Sequence, residues 1–268
     1  TGRPTPGAYA AAVEAGGTLV FGVPTVWARV AADPAAGALR SARLLVSGSA
    51  ALPAGVLAPL QERCGQVPVE RYGMTETLIT VSMRAGESPR PGSVGRALAG
   101  VETRLVGEDG APVAPDGETV GSLQVRGATL MDGYLGQPDV TAASYRPGGW
   151  FATGDAAVID AAGYHRIVGR ESTDVIKTGG YRVGAGEVED ALLTHPAVRE
   201  AAVVGRPDDD LGAVLVAYVI ADGADEAALI AWVAARLSVH KRPRRVVFVA
   251  SLPRNAMGKV QKKRLPGF

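Results

Sequence analysis

A chain of 268 residues is long enough for two domains or one large one. At 47% hydrophobic, 21% charged and a net charge of +1, it fits a globular protein with no strong field drawing it to nucleic acid or a membrane. The single cysteine, Cys64, excludes an internal disulfide framework and points to a reducing, cytoplasmic compartment, and no apolar run or signal peptide marks a membrane or secretory route.

Residues 8–80 alternate helix and strand. AYAAAVEAGG predicts a helix stopped at Gly16-Gly17, a usual C-cap choice. TLVFGVP predicts a buried strand ended by Pro24. VWARVAADP is then a short helix, and LRSARLLVSGSA brings the next strand. PAGVLAPLQERCG has Pro53 near its start, Gly65 at its end and a one-sided stripe of Val56, Leu57 and Leu60, the pattern of a helix. VPVERYG follows as a strand, with YGMTE in the loop at its end. Ligands of open α/β sheets bind outside the carboxyl ends of the strands.

From about residue 94 the pattern turns to short strands between glycines. VETRLVGEDGAPV alternates and carries the hairpin signal Asp109-Gly110, and GSLQVRG, GWFATGDAAVID and GYHRIVGR follow. From about residue 172 a compact α+β unit begins. EVEDALLTHP is a helix with Val188, Ala191 and Leu192 on one face. VREAAVVGRP and AVLVAYVIA are strands. DEAALIAWVAARL is a helix with Leu229, Trp232, Val233 and Leu237 on one side, and RRVVFVASLP is a last strand. The expected class is therefore α/β plus α+β: an α/β sheet and a β-rich subdomain over 1–171, then a small domain over 172–268.

Five segments carry candidate chemistry. ERYGMTETLIT places Tyr72, Gly73, Met74, Thr75 and Glu76 consecutively: a ring for a base, a hydroxyl for a phosphate, a carboxylate for a metal. The plainer alternative is a polar turn. SGSAALP (47–53) is a small-residue turn whose backbone can approach a flat ligand closely, and alone it is more simply an ordinary βα turn. GWFATGD ends in Asp155, a carboxylate suited to a sugar diol or to a plain turn. GRESTDVIKTGGYRVGAGEVE (169–189) suits a hinge, a close ligand approach at Thr178-Gly179-Gly180, or a flexible interdomain loop. LPRNAMGKVQKKRL holds Lys259 after a glycine. A lone lysine is ordinarily a solvated charge, and the basic run Lys259, Lys262, Lys263, Arg264 lacks the aromatic interleaving of nucleic-acid binders.

In their order and spacing, YGMTE, TGD, GR with IKTGGYRVGAGEVE, and NAMGKV resemble the acyl-adenylate-forming (ANL) superfamily of acyl-CoA synthetases, firefly luciferase and peptide-synthetase adenylation domains. The resemblance covers nearly the whole chain from about residue 20. Within the superfamily, ERYGMTETLIT and IKTGGYRVGAGEVE look most like bacterial malonyl-CoA synthetases, which also accept methylmalonate. The resemblance implies ATP, Mg²⁺ and coenzyme A as reactants and a small dicarboxylic acid as substrate. It places Glu70, Arg71, Tyr72, Gly73, Met74 and Thr75 at the nucleotide, with Tyr72 stacked on adenine, Ser49 and Ala50 lining its other side, and Thr75 on the α-phosphate. Glu76 would hold Mg²⁺, Asp155 the ribose hydroxyls, and Arg170 would lie near ribose and phosphate. Lys259 would reach the reacting carboxylate and α-phosphate. Lys177, Gly179, Gly180 and Tyr181 would meet CoA, and the small domain would rotate about a hinge at 170–174, including Thr173 and Asp174. The 171–173 stretch is one residue longer than usual in the family. Arg29, after the VPT segment, would neutralise the spare carboxylate of a dicarboxylate, with Ser47 in the pocket wall. Its alternative is an exposed helix arginine.

These roles have physical grounds. Charge gathers on oxygens in an α-phosphoryl transition state, so a cation and a lysine there stabilise it electrostatically. A buried unpaired carboxylate is costly, and arginine can pair with it through two hydrogen bonds. One family feature is absent: no Ser/Thr/Gly-rich phosphate loop ending in Pro-Lys-Gly precedes Thr25. The expectation is that the chain is one portion of a longer enzyme, nicked or N-terminally deleted, whose missing N-terminal portion is its partner. Three alternatives stay open: a synthetase for another small or aryl acid, a carrier-loading module, and a non-catalytic AMP- or CoA-binding fragment. The end of the chain soon after GKV, without a carrier domain, argues against the second.

Overall fold

A computed structural model describes residues 5–254 and 260–266, so Lys259 lies outside the described residues. The chain divides into two compact units, one of Thr1–Thr153 with Ala157–Ile167, the other of Gly154–Ala156 with Val168–Phe268.

The first unit opens with α1 (Pro6–Glu14). Thr5 caps it by accepting a hydrogen bond from Ala8 N, and it ends where Gly16 turns to φ 98°. β1 (Leu19–Gly22), β2 (Leu44–Ser47) and β3 (Val69–Met74) run parallel. β4 (Leu78–Ser82) and β5 (Arg96–Ala97) add on antiparallel, in the order β1-β2-β3-β4-β5. α2 (Pro24–Ala32) and a 3-10 helix (Pro34–Ser41) make the first crossover. α3 (Ala54–Cys64), closed by Gly65 at φ 69°, makes the second. Trp27, fully buried, locks β1 to β2: its indole N–H donates to the carbonyls of Gly22 (3.2 Å) and Val46 (3.1 Å). Leu39, Leu45, Leu52 and Leu60 complete this core.

Three sequence expectations change here. β1 is not buried throughout: Val20 is, but Leu19 and Phe21 are 45% and 53% exposed, because β1 ends the described sheet and these two share its other face. The strand expected from residue 39 starts only at Leu44, because Pro34 and the Asp33 cap favour a 3-10 turn before it. YGMTE is not a free loop: Tyr72, Gly73 and Met74 are strand, and the hairpin returns at once through Leu78.

β6 (Val101–Val106), β7 (Gly121–Gly127), α4 (Pro138–Ser144), β8 (Tyr145–Arg146), β9 (Trp150–Ile159) and β10 (His165–Arg170) follow. The sheet runs β10-β9-β7-β6, with β8 on β9. The Asp109-Gly110 turn forms, with Gly110 at φ 80°, but its return limb is only a bridge from Val106 to Pro112, and β6 pairs with β7 instead. Leu105, Leu123, Val125 and Phe151 form the core beneath.

The second unit holds β11 (Val175–Thr178), β12 (Tyr181–Gly184), α5 (Ala185–Leu193), β13 (Val198–Asp208), β14 (Gly212–Ala221), α6 (Glu226–Ala234) and β15 (Arg245–Phe248). β13 and β14 are antiparallel, β14 and β15 parallel. Strand alternation splits the sheet's faces. Val203, Leu215, Ala217 and Val219 pack with Val188 and Leu192 of α5 and Leu229 and Val233 of α6. Ala202, Val204, Val216 and Tyr218 pack with Leu252 and Leu265. In the 169–189 segment, residues 171–174 are a turn after β10, and in place of a flexible loop residues 175–184 form the β11–β12 hairpin. Its two-residue turn, Gly179 (φ 53°) and Gly180 (φ 81°), has the left-handed pair a tight hairpin demands.

Candidate active site

In the first unit the candidates of the 47–53 and 72–76 segments gather at one end of the sheet. β2 and β3 are parallel, so the turn after Ser47 and the turn after Met74 leave the sheet from the same side. Ser47 pairs with Glu70 in register. Glu70, 6% exposed, accepts a hydrogen bond from Leu52 N at 3.0 Å, holding the 48–53 turn against β3. Within that turn Ser49 adopts φ 75°, uncommon for a residue with a Cβ. The Arg71 side chain lies close over Gly48.

The β3–β4 hairpin is tight for a definable reason. A Cβ on Gly73 would stand 2.0 Å from the carbonyl oxygen of Leu78 and 2.8 Å from Ile79 Cα, so only glycine fits beside the returning strand. A register shift sits at Tyr72/Gly73, and Leu78 closes the turn at φ 53° with 64% of its surface exposed. Strained, non-glycine left-handed residues concentrate at ligand-contacting turns. The hairpin exposes Thr75 and half-buries Tyr72 and Glu76. The Tyr134 hydroxyl donates to Glu76 Oε1 at 3.1 Å. Ser47 is fully buried, and its hydroxyl lacks a hydrogen-bond partner among the described residues. Arg29 stands exposed on α2 without an ion pair among them.

In the second unit Asp155, 6% exposed, is met by Arg170 Nε at 3.1 Å. Arg170, Thr173 and Asp174 form one tight turn: the amides of Thr173 and Asp174 both donate to the Arg170 carbonyl, and Arg170 N donates to Asp174 Oδ2. Lys262 Nζ then joins Asp174 (3.2 Å) to Glu189 (2.9 Å). Burial alone would lower the Lys262 pKa, but the two carboxylates outweigh it and raise it. Lys177 is exposed on β11, and Tyr181 lies flat against His240, ring centroids 4.1 Å apart. Sequence spacing marks neither Tyr134 nor Lys262 as a site residue: Tyr134 shows only as an aromatic after glycine in MDGYLGQP, and Lys262 only as one member of the basic run 259–264.

Among the described residues no group of three or more His, Cys, Asp or Glu can hold a metal. A single carboxylate such as Glu76 suits Mg²⁺, which keeps several waters and binds through one or two carboxylates plus substrate phosphates. Among the described residues no helix is long and apolar enough to cross a membrane.

This arrangement, a glycine-forced hairpin and a strained small-residue turn at the carboxyl ends of parallel strands, lies where open α/β sheets bind their ligands. A family model described as AMP-binding enzyme matches residues 1–135, and one described as AMP-binding enzyme C-terminal domain matches residues 187–259. The chain belongs to the AMP-binding enzyme family, within the acyl-adenylate-forming superfamily. It is 38% identical over 271 residues to a malonate–CoA ligase of Arabidopsis thaliana, covering 92% of this chain and 44% of that protein. It is 40% identical over 265 residues to a feruloyl-CoA synthase of Amycolatopsis sp, covering 96% and 53%. Among solved structures, ATP-bound MatB from Rhodopseudomonas palustris superposes with a TM-score of 0.85 at 36% identity, covering 97% of this chain and 52% of that one. A malonyl-CoA ligase ternary product complex with methylmalonyl-CoA and AMP matches at 51% identity with a TM-score of 0.59, covering 94% and 56%. The chain spans about half the length of the curated relatives it matches.

Proposed function

We propose that the protein to which this chain belongs is an AMP-forming acid–thiol ligase that makes malonyl-CoA, and methylmalonyl-CoA, through an acyl-adenylate. The observation that carries the reading is the Tyr72–Glu76 hairpin beside the 47–53 turn, at the carboxyl edge of parallel strands β2 and β3. In the first step a carboxylate oxygen of the acid bonds to the α-phosphorus of ATP, and pyrophosphate leaves. In the second the sulfur of CoA bonds to the acyl carbon, the thiol gives up its proton, and AMP leaves.

Tyr72 offers its ring to adenine, with Ser49 and Ala50 on the other side, while Glu70, Arg71, Gly73 and Met74 shape the edge of that slot. Thr75, exposed at the turn, donates its hydroxyl to the α-phosphate. Glu76 would hold Mg²⁺, which when bound neutralises charge developing on the phosphate oxygens. Asp155 has two carboxylate oxygens suited to a ribose diol, with Arg170 beside it. Lys259 supplies a point charge to the carboxylate and α-phosphate. Lys177, Gly179, Gly180 and Tyr181 serve CoA, and the turn at Arg170–Asp174 is the hinge between the domains 1–171 and 172–268. Arg29 pairs the second carboxylate of the acid, and the buried hydroxyl of Ser47, unpartnered among the described residues, belongs to the pocket wall. The 51% identity to a malonyl-CoA ligase with bound methylmalonyl-CoA supports the dicarboxylate. The test is malonate-dependent exchange of pyrophosphate into ATP by the full-length protein without CoA, followed by malonyl-CoA and AMP in equal amounts when CoA is added. Exchange that ignores malonate overturns the reading.

A further inference from the structure

We propose that Tyr134 is a positioning residue for the Glu76 carboxylate, presetting it for a divalent cation; the inference rests on the reading of Glu76 as that cation's ligand. The Tyr134 hydroxyl donates to Glu76 Oε1 at 3.1 Å, across 58 residues of sequence. The loop that carries it is tied to the same residue a second time: Met131 N donates to the Glu76 backbone carbonyl at 2.8 Å. The loop itself is framed from within. Tyr134 N donates to Thr141 Oγ1, the Thr141 hydroxyl donates to the Gln137 carbonyl, and Gln137 N donates to the Tyr134 carbonyl. The Tyr145 hydroxyl holds the Met131 carbonyl at 2.9 Å. Gly133 permits the close fit, since a Cβ there would meet Thr141 Cγ2 at 2.9 Å. A framed loop that holds the Glu76 main-chain carbonyl through Met131 N and its half-buried carboxylate through the Tyr134 hydroxyl fixes that carboxylate's rotamer. The phenol engages Oε1, and Oε2 stays available to a cation. Groups that hydrogen-bond a metal-ligating carboxylate typically set 10–100-fold of its affinity or activity.

The test uses Mn²⁺ as the probe, in the full-length protein with a non-hydrolysable ATP analogue, read by electron paramagnetic resonance. Tyr134→Phe keeps the ring and removes only the hydroxyl. The expected result is a Kd for Mn²⁺ raised about 10–100-fold, with the metal-free melting temperature unchanged. A merely structural tyrosine would give the reverse, a lower melting temperature and an unchanged Kd. Glu76→Gln separates the two claims. If Glu76→Gln weakens Mn²⁺ and Tyr134→Phe does not, the positioning role is overturned and the metal role of Glu76 stands. If Glu76→Gln leaves Mn²⁺ affinity unchanged, both are overturned.

Discussion

Removing the Lys262 ammonium tests how the second unit holds its proposed hinge turn. Lys262 is 18% exposed at its side chain and lies between Asp174 and Glu189, themselves 26% and 19% exposed. Lys262→Met keeps the stem and leaves two carboxylates facing each other without a cation. Taking one partner from a buried pair costs about 3–5 kcal/mol; four-fifths burial puts the expectation at the low end, about 3 kcal/mol. Glu189→Gln in the same chain should recover part of that loss. Glu189 Oε1 also accepts the Val203 amide at 2.7 Å, and the glutamine oxygen can keep that bond. Hydrogen exchange of β13 and β14 amides reports opening of the second unit alone. A 3 kcal/mol loss would raise exchange there by about a hundredfold, since 1.4 kcal/mol is about a factor of ten. Exchange changed by less than about threefold would mean that the triad behaves as a surface pair, worth at most about 1 kcal/mol, and would refute the reasoning.

Other consequences follow from single contacts. Gly73→Ala forces a Cβ to 2.0 Å from the Leu78 carbonyl oxygen; it should cost about 1–3 kcal/mol in chemical denaturation and abolish adenylation. His165, 2% exposed, has its pKa lowered by burial, against the Gly95 and Gly163 carbonyls that raise it. Its contribution to stability is therefore complete above the unfolded pKa of about 6.5 and is lost as pH falls toward the lower folded value. The denaturation midpoint should drop between about pH 7.5 and about pH 5.5, and His165→Gln, less stable at neutral pH, should flatten that drop. Lys259→Ala should slow adenylation about 10²–10³-fold while leaving thioester formation from preformed acyl-adenylate much less affected; equal loss in both half-reactions, measured separately, refutes its assignment to the first step.

Helices and buried strands were legible where composition and period agreed. Val188, Ala191 and Leu192 of α5 are buried as their spacing demands, and Gly65 ends α3 in the left-handed conformation it was chosen for. Pattern failed where tertiary context decides. Leu19 and Phe21 are as apolar as any core pair, yet strand position, which no local window reports, leaves them exposed. Gly179-Gly180 carries the same composition whether it is a slack linker or a hairpin turn. The partner strands settle it, pairing Thr178 with Tyr181 and Ile176 with Val183. At the candidate site, residue types and order in YGMTE were visible, but the reason for its glycine was not, because the Leu78 carbonyl that forbids a side chain arrives only when the hairpin folds. Tyr134 and Lys262 act across 58 and 88 residues of chain, beyond the reach of spacing arguments.

The central claim is a ligase for a dicarboxylic acid. AMP release by the full-length protein with Mg·ATP and CoA, measured across malonate, methylmalonate, acetate, octanoate and benzoate, tests it most directly. The account predicts release with malonate and methylmalonate alone, and its loss in Arg29→Leu. Release with the monocarboxylates instead would contradict it and return Arg29 to the exposed surface of α2.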